Sequence, residues 1–128
     1  MRLLLDTHLL LWAAGQPRKL PAAARKLIVS QRNTLYFSTA SLWEIAIKRA
    51  LARNDFRADP GVLRRGLLES GYEELSINGD HAVAVGVLPA LHKDPFDRML
   101  VAQAAVEGMT LVTADAQVAK CPGSIRHV

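Results

Sequence analysis

Short apolar or β-branched runs alternate with helical segments along this chain, and few folds accept that order other than a parallel sheet with helices on both faces. Residues 2–6 read as a short buried strand ending in a carboxylate, and residues 8–14 as a helix stopped by Gly15 and Pro17. Pro21, as a first-turn proline, opens a second helix that runs to about Ser30. Residues 34–37 are β-branched and aromatic, hence strand, and Ser38 or Thr39 caps a helix from Ala40 to about Ala52. Residues 53–60 are polar and proline-ended, so they read as a loop before a helix over residues 61–70. Residues 74–77 form an extended piece, and Asn78 or Asp80 caps the helix containing residues 82–87. After the polar stretch 92–95, Asp94 caps a helix that starts at Pro95 and ends near Gly108. Thr110–Thr113 is a strand, residues 115–120 a short helix, and residues 125–128 a last strand. At 128 residues, the chain fits one domain over 1–128, with a core that buries roughly two-thirds of the unfolded surface.

In sheets of this kind, sites form beyond the C-terminal strand ends. Acids stand at that edge. Asp6 follows Leu3-Leu4-Leu5, and Asp115 follows Leu111-Val112 across Thr113-Ala114. Two more sit on apolar helix faces: Glu44 shares a face with Ala40, Ile47 and Leu51, and Asp97 with Leu100, Val101 and Ala104. Asp94 lies one turn before Asp97. A buried, unpaired carboxylate is costly, and four close together repel unless basic groups, protons or a divalent cation neutralise them. Oxygen donors suit Mg²⁺ or Mn²⁺, and His8, His81, His92 and His127 are too isolated for a zinc set. Each acid also has a plainer reading. Asp6, Asp94 and Asp115 can cap helices, Glu44 can pair with Lys48 at i+4, and Asp97 can pair with Arg98 or serve its helix's first turn. Thr7 and Thr113 are candidates for orienting water or phosphate, with capping as the default. Trp12 and Trp43 read as core or interface aromatics, and His8 and His92 as structural.

Net charge +4 favours an anionic partner, although the Lys and Arg residues are scattered and build no basic tail. The lone Cys121 excludes an internal disulfide framework and fits a reducing compartment. The apolar run 3–12 is broken by Asp6 and His8, unlike a signal peptide, and no stretch is long enough to span a membrane. A cytoplasmic protein with no membrane partner is expected.

Taken in order, Leu3-Leu4-Leu5-Asp6-Thr7-His8, Ser41-Leu42-Trp43-Glu44-Ile45, the segment from His92-Lys93-Asp94-Pro95-Phe96-Asp97-Arg98 to Ala104, and Leu111-Val112-Thr113-Ala114-Asp115 resemble the PIN-domain family over nearly the whole chain. The Asp-Pro-Phe-Asp-Arg form most resembles its VapC-like toxin branch. The resemblance implies an α/β fold, a three-layer α/β/α sandwich with a central, mainly parallel sheet. It implies Mg²⁺- or Mn²⁺-dependent cleavage of RNA, a homodimer, and a cognate antitoxin whose tail blocks the cleft. It makes Asp6, Glu44, Asp97 and Asp115 the catalytic, metal-binding acids. Asp94 is the alternative to Asp97, whose register with the apolar face favours it. Metal-activated water would then leave a 5′-phosphate and a 3′-hydroxyl. The competing readings are a DNA-directed nuclease or phosphatase using the same acids, and a non-catalytic module that binds RNA or protein. Asp6 lacks the second Asp two residues later that a dehalogenase-like phosphatase carries, and no Lys follows the late strand as in a receiver domain.

Overall fold

The computed structural model describes residues 1–89 and 93–128. The strands β1 (Arg2–Leu5), β2 (Thr34–Ser38), β3 (Glu73–Leu75), β4 (Thr110–Thr113) and β5 (Ile125–His127) form one sheet in the order β3-β2-β1-β4-β5. All four pairings are parallel, so the mainly parallel sheet expected from the alternation is wholly so among the described strands. The helices are α1 (Thr7–Gly15), α2 (Ala22–Val29), α3 (Thr39–Ala50), α4 (Pro60–Glu69), α5 (Gly79–Val85), α6 (Pro95–Glu107) and α7 (Ala116–Ala119). A 3₁₀ turn over Pro17–Lys19 joins α1 to α2.

Alternation along the strands builds the layers. Leu3, Leu5, Phe37 and Val112 face a cluster with Leu9 and Leu10 of α1, Ala24 of α2, and Leu63 and Leu67 of α4. Leu4 and Leu111 face the other side, against Ala40 of α3, Leu100, Val101 and Ala104 of α6, and Val118 of α7. The central strand is therefore buried on both faces, as a helix-covered parallel sheet requires.

Most boundaries lie within two residues of those read from the sequence, because caps mark them. Ser38, Asp59, Asn78, Asp94 and Asp115 each accept backbone N–H groups at a helix start. Two details differ. Pro21 occupies the cap position before α2 and not its first turn. Pro60 opens α4 instead of closing a loop, because Asp59 caps it and a proline lacks only an N–H that would be unpaired there. The polar stretch before it is pinned by Phe56, which is fully buried.

A buried polar chain ties α3, α5 and α6 together. The Ser38 hydroxyl donates to Gln103 Oε1 at 2.5 Å, and Gln103 Nε2 lies 3.4 Å from His81 Nδ1. That nitrogen also accepts the Asn78 N–H at 3.1 Å, while His81 Nε2 meets Glu107 Oε2 at 2.8 Å. Ser38, His81 and Gln103 are wholly buried. Their mutual bonds make that burial tolerable.

Candidate active site

The sheet order fixes where a site can form. From β1 the chain moves outward through β2 to β3, then returns to lay β4 on the other side of β1. The crevice between the C-terminal ends of β1 and β4 is thus the topological switch point, where open parallel sheets bind ligands. Asp6 and Asp115 stand there, one residue past β1 and two past β4. Together with His8, Trp12 and Ala114 they line a shallow cavity of about 250 Å³.

Asp6 is buried, and Asp115 is exposed. Asp6 Oδ1 caps α1 by accepting the Leu9 N–H at 2.9 Å. Its Oδ2 accepts the Thr113 hydroxyl at 2.6 Å and the Ala114 N–H at 3.1 Å. Thr113 Oγ1 in turn accepts the Asp115 N–H at 3.0 Å, so one threonine relays between the two acids' positions. Asp115 Oδ1 caps α7 through the Gln117 N–H. Burial holds the Asp6 carboxyl above the usual 3.8 of an aspartate, and the three hydrogen bonds and the nearby His8 only partly offset this. The folded chain therefore holds that proton more tightly than the unfolded chain. The resulting stabilisation is complete below 3.8 and is lost as pH rises through the raised value.

Thr7, the residue after Asp6, reaches toward α3. Its buried hydroxyl donates to Glu44 Oε1 at 2.6 Å and lies 2.9 Å from Ser41 Oγ. Glu44 Oε2 accepts from Lys48 at 2.5 Å, and the Lys48 ammonium also lies 3.7 Å from Asp94 Oδ2. The ordinary i,i+4 pair read from the sequence is therefore present, and it extends to a second helix. Asp94 caps α6 through Phe96 and Asp97. Asp97 is half-buried in the first turn of α6. Its charge and that of Asp115 both reach the Cys121 thiol. Burial first and these acids second push that thiol up, against the pull of Arg98, so it is a poor nucleophile.

Four of the candidate acids thus fall in two linked groups, Asp6 with Asp115 and Glu44 with Asp94 through Lys48, and the fifth, Asp97, lies in the first turn of α6. Among the described residues, no three His, Cys, Asp or Glu side chains stand close enough to hold a metal ion between them. The donors nevertheless fit a hard divalent cation. They are carboxylate oxygens, and no Lys or Arg among the described residues contributes to the Asp6 environment. Cation binding should weaken on acidification while the pH is still above 3.8, since proton and cation compete for Asp6. Mn²⁺ titrations at a series of pH values check this, and an affinity flat down to the normal aspartate range would contradict it.

His8 packs against Trp12 and Phe56, with Nε2 3.4 Å from Asp55 Oδ2, which is a structural placement. His92 lies outside the described residues. Trp12 is half-buried against the core. Trp43 is exposed and meets Phe96 edge-on, so it is no core residue. The sequence reading did not single out Phe56 and Phe96, which flank Lys48; isolated aromatics in polar stretches carry no periodic signal.

Several solved structures share the architecture. VapBC2 from Rickettsia felis, bound to a DNA fragment from their promoter, is 18% identical and superposes with a TM-score of 0.72, covering 99% of this chain and 98% of that one. DNA-bound VapBC from Salmonella typhimurium is 18% identical, with a TM-score of 0.66 and coverage of 100% and 97%. VapBC-5 from Mycobacterium tuberculosis, of the VapBC family of toxin–antitoxin systems, is 18% identical, with a TM-score of 0.62 and coverage of 99% and 98%. At such identities the likeness establishes the fold. No curated protein matches the chain. The sequence model of the PIN domain, however, matches residues 3–123. From the first buried strand to beyond the last acidic cap, the chain belongs to the PIN domain family.

Proposed function

We propose that this protein is a Mg²⁺- or Mn²⁺-dependent endoribonuclease, the toxin of a toxin–antitoxin pair that works in the cytoplasm as a homodimer. The observation that carries this reading is the Asp6–Asp115 pair at the switch point, with Asp6 buried and no Lys or Arg among the described residues contributing to its environment. Membership of a family that generally comprises nucleases supports the chemistry. The VapBC neighbours, named as toxin–antitoxin systems, support an antitoxin partner. The net charge of +4 favours an anionic polymer as substrate.

Asp6, Glu44, Asp97 and Asp115 are the proposed metal-site acids, with Asp94 as the alternative to Asp97. When bound, the cation supplies activated water and positive charge for phosphodiester hydrolysis. The chain's own part is orientation. Thr113 and the Ala114 N–H fix Asp6, and Thr7 fixes Glu44. Hydrolysis leaves a 5′-phosphate and a 3′-hydroxyl.

Incubating the protein with RNA, single-stranded DNA and a phosphomonoester, each with Mg²⁺ or a chelator, tests the reading. RNA alone should be cut, and the chelator should stop it. Cleavage indifferent to the chelator, or release of phosphate from the monoester, would overturn the reading. Mg²⁺-independent RNA binding without cleavage would leave a non-catalytic module.

A further inference from the structure

The ammonium of Lys48 is seated like a bound ion. It meets Glu44 Oε2 at 2.5 Å and Asp94 Oδ2 at 3.7 Å, and lies 4.7 Å from the centre of the Phe56 ring and 5.8 Å from that of Phe96. Its side chain is 18% exposed and that of Glu44 4%. Three segments converge to make this seat: α3 supplies the lysine and Glu44, the stretch before α4 supplies Phe56, and the start of α6 supplies its cap Asp94 and Phe96 in its first turn. A solvent-exposed i,i+4 pair needs none of these walls. Aromatic faces and two carboxylates around one ammonium are what a desolvated cation requires.

The Asp6–Asp115 end is built differently. Its acids are held by N–H and hydroxyl donors, and no lysine or arginine among the described residues contributes to the Asp6 environment. One end of the acidic edge thus carries its own ammonium, while at the other the described residues bring only the His8 imidazole near Asp6.

We propose that Lys48 is a built-in counter-charge, so that the edge takes up a single divalent cation, at the Asp6–Asp115 end, with the lysine standing where a second would sit at the Glu44–Asp94 end. This rests on the metal-dependent reading above and narrows its set of acids: Asp6 and Asp115 meet the ion, and Lys48 holds Glu44 away from it. It assigns Lys48 a positioning role: it holds Glu44 toward Thr7 and ties α3 to the start of α6. A hydrated divalent ion and the ammonium cannot share the space between the same two carboxylates, and their like charges repel at close range.

Counting bound Mn²⁺ on the full chain, by electron paramagnetic resonance of the free ion, tests this without reference to activity. The parent should bind one Mn²⁺ per chain, and Lys48→Met should bind two, because Glu44 and Asp94 are released. Lys48→Arg, which keeps the charge, should bind one. Lys48→Gln, which removes the charge but keeps a polar side chain, should also bind two, which maintains the test if Lys48→Met does not fold. Two ions on the parent, or one on a folded Lys48→Met or Lys48→Gln, would each overturn the lysine assignment while leaving the nuclease reading standing. No ion on the parent would overturn both.

Discussion

Asp6→Asn is expected to lower metal-dependent RNA cleavage by at least about 100-fold while leaving a folded protein. Replacing groups that merely support metal ligands already costs about 10- to 100-fold, and Asp6 is the most buried candidate acid in the switch-point cavity. The fold should survive because asparagine can still cap α1 through its carbonyl, on the Leu9 N–H. Two further effects oppose each other. The neutral amide escapes the burial cost that raises the carboxyl's pKa, but its NH₂ group faces the Ala114 N–H that Oδ2 now accepts. The melting curve should therefore stay near the parent's. The decisive measurement is the initial rate on RNA with Mg²⁺, alongside circular dichroism. A folded variant that cleaves at the parental rate would remove Asp6 from the chemistry.

The largest stability effect is expected at Leu4, in the central strand. Leu4→Ala should cost about 2–5 kcal/mol, a large share of the roughly 5–15 kcal/mol that holds a domain together. Leu4 is completely enclosed, and its side of the sheet rests on α6 and α7 through Leu100, Val101, Ala104 and Val118. The backbone on both flanks is locked in parallel pairings to β2 and β4, so the cavity cannot close by moving the strand. Urea denaturation of parent and variant gives the difference. Leu68→Ala, at a residue 40% exposed, serves as the control and should change little. A loss at Leu4 below about 1 kcal/mol, the size of an average substitution, would mean that the two-sided burial of β1 is wrong.

The fold was legible because its punctuation is local. Serine, aspartate and asparagine caps announce most helix starts, and the apolar runs Leu3-Leu4-Leu5 and Leu111-Val112 read as strands buried on both faces. The placement of Asp6 and Asp115 followed from that pattern, since a parallel sheet presents its strand ends to one crevice. What escaped the sequence depends on contacts between distant segments. His81 and Gln103 look like ordinary polar helix residues, yet both are wholly buried, because each supplies the other's neighbourhood with bonds. Lys48 was readable as a partner for Glu44 one turn away. Its second carboxylate, Asp94, lies 46 positions along the chain and shows only in three dimensions. Phe56 sits alone in a polar stretch, where no periodicity marks it as core.

Three of the acids along the edge, Asp6, Asp94 and Asp115, also start helices. Asparagine starts a helix about as well as aspartate, and the two share codons that differ by a single base. On the proposed reading, one point mutation at Asp6 or Asp115 would give a chain that still folds but holds the cation poorly. On that reading a lineage carrying this gene has a short path to a silent descendant, one that keeps its shape, and any surface another protein grips, after its cutting edge is gone.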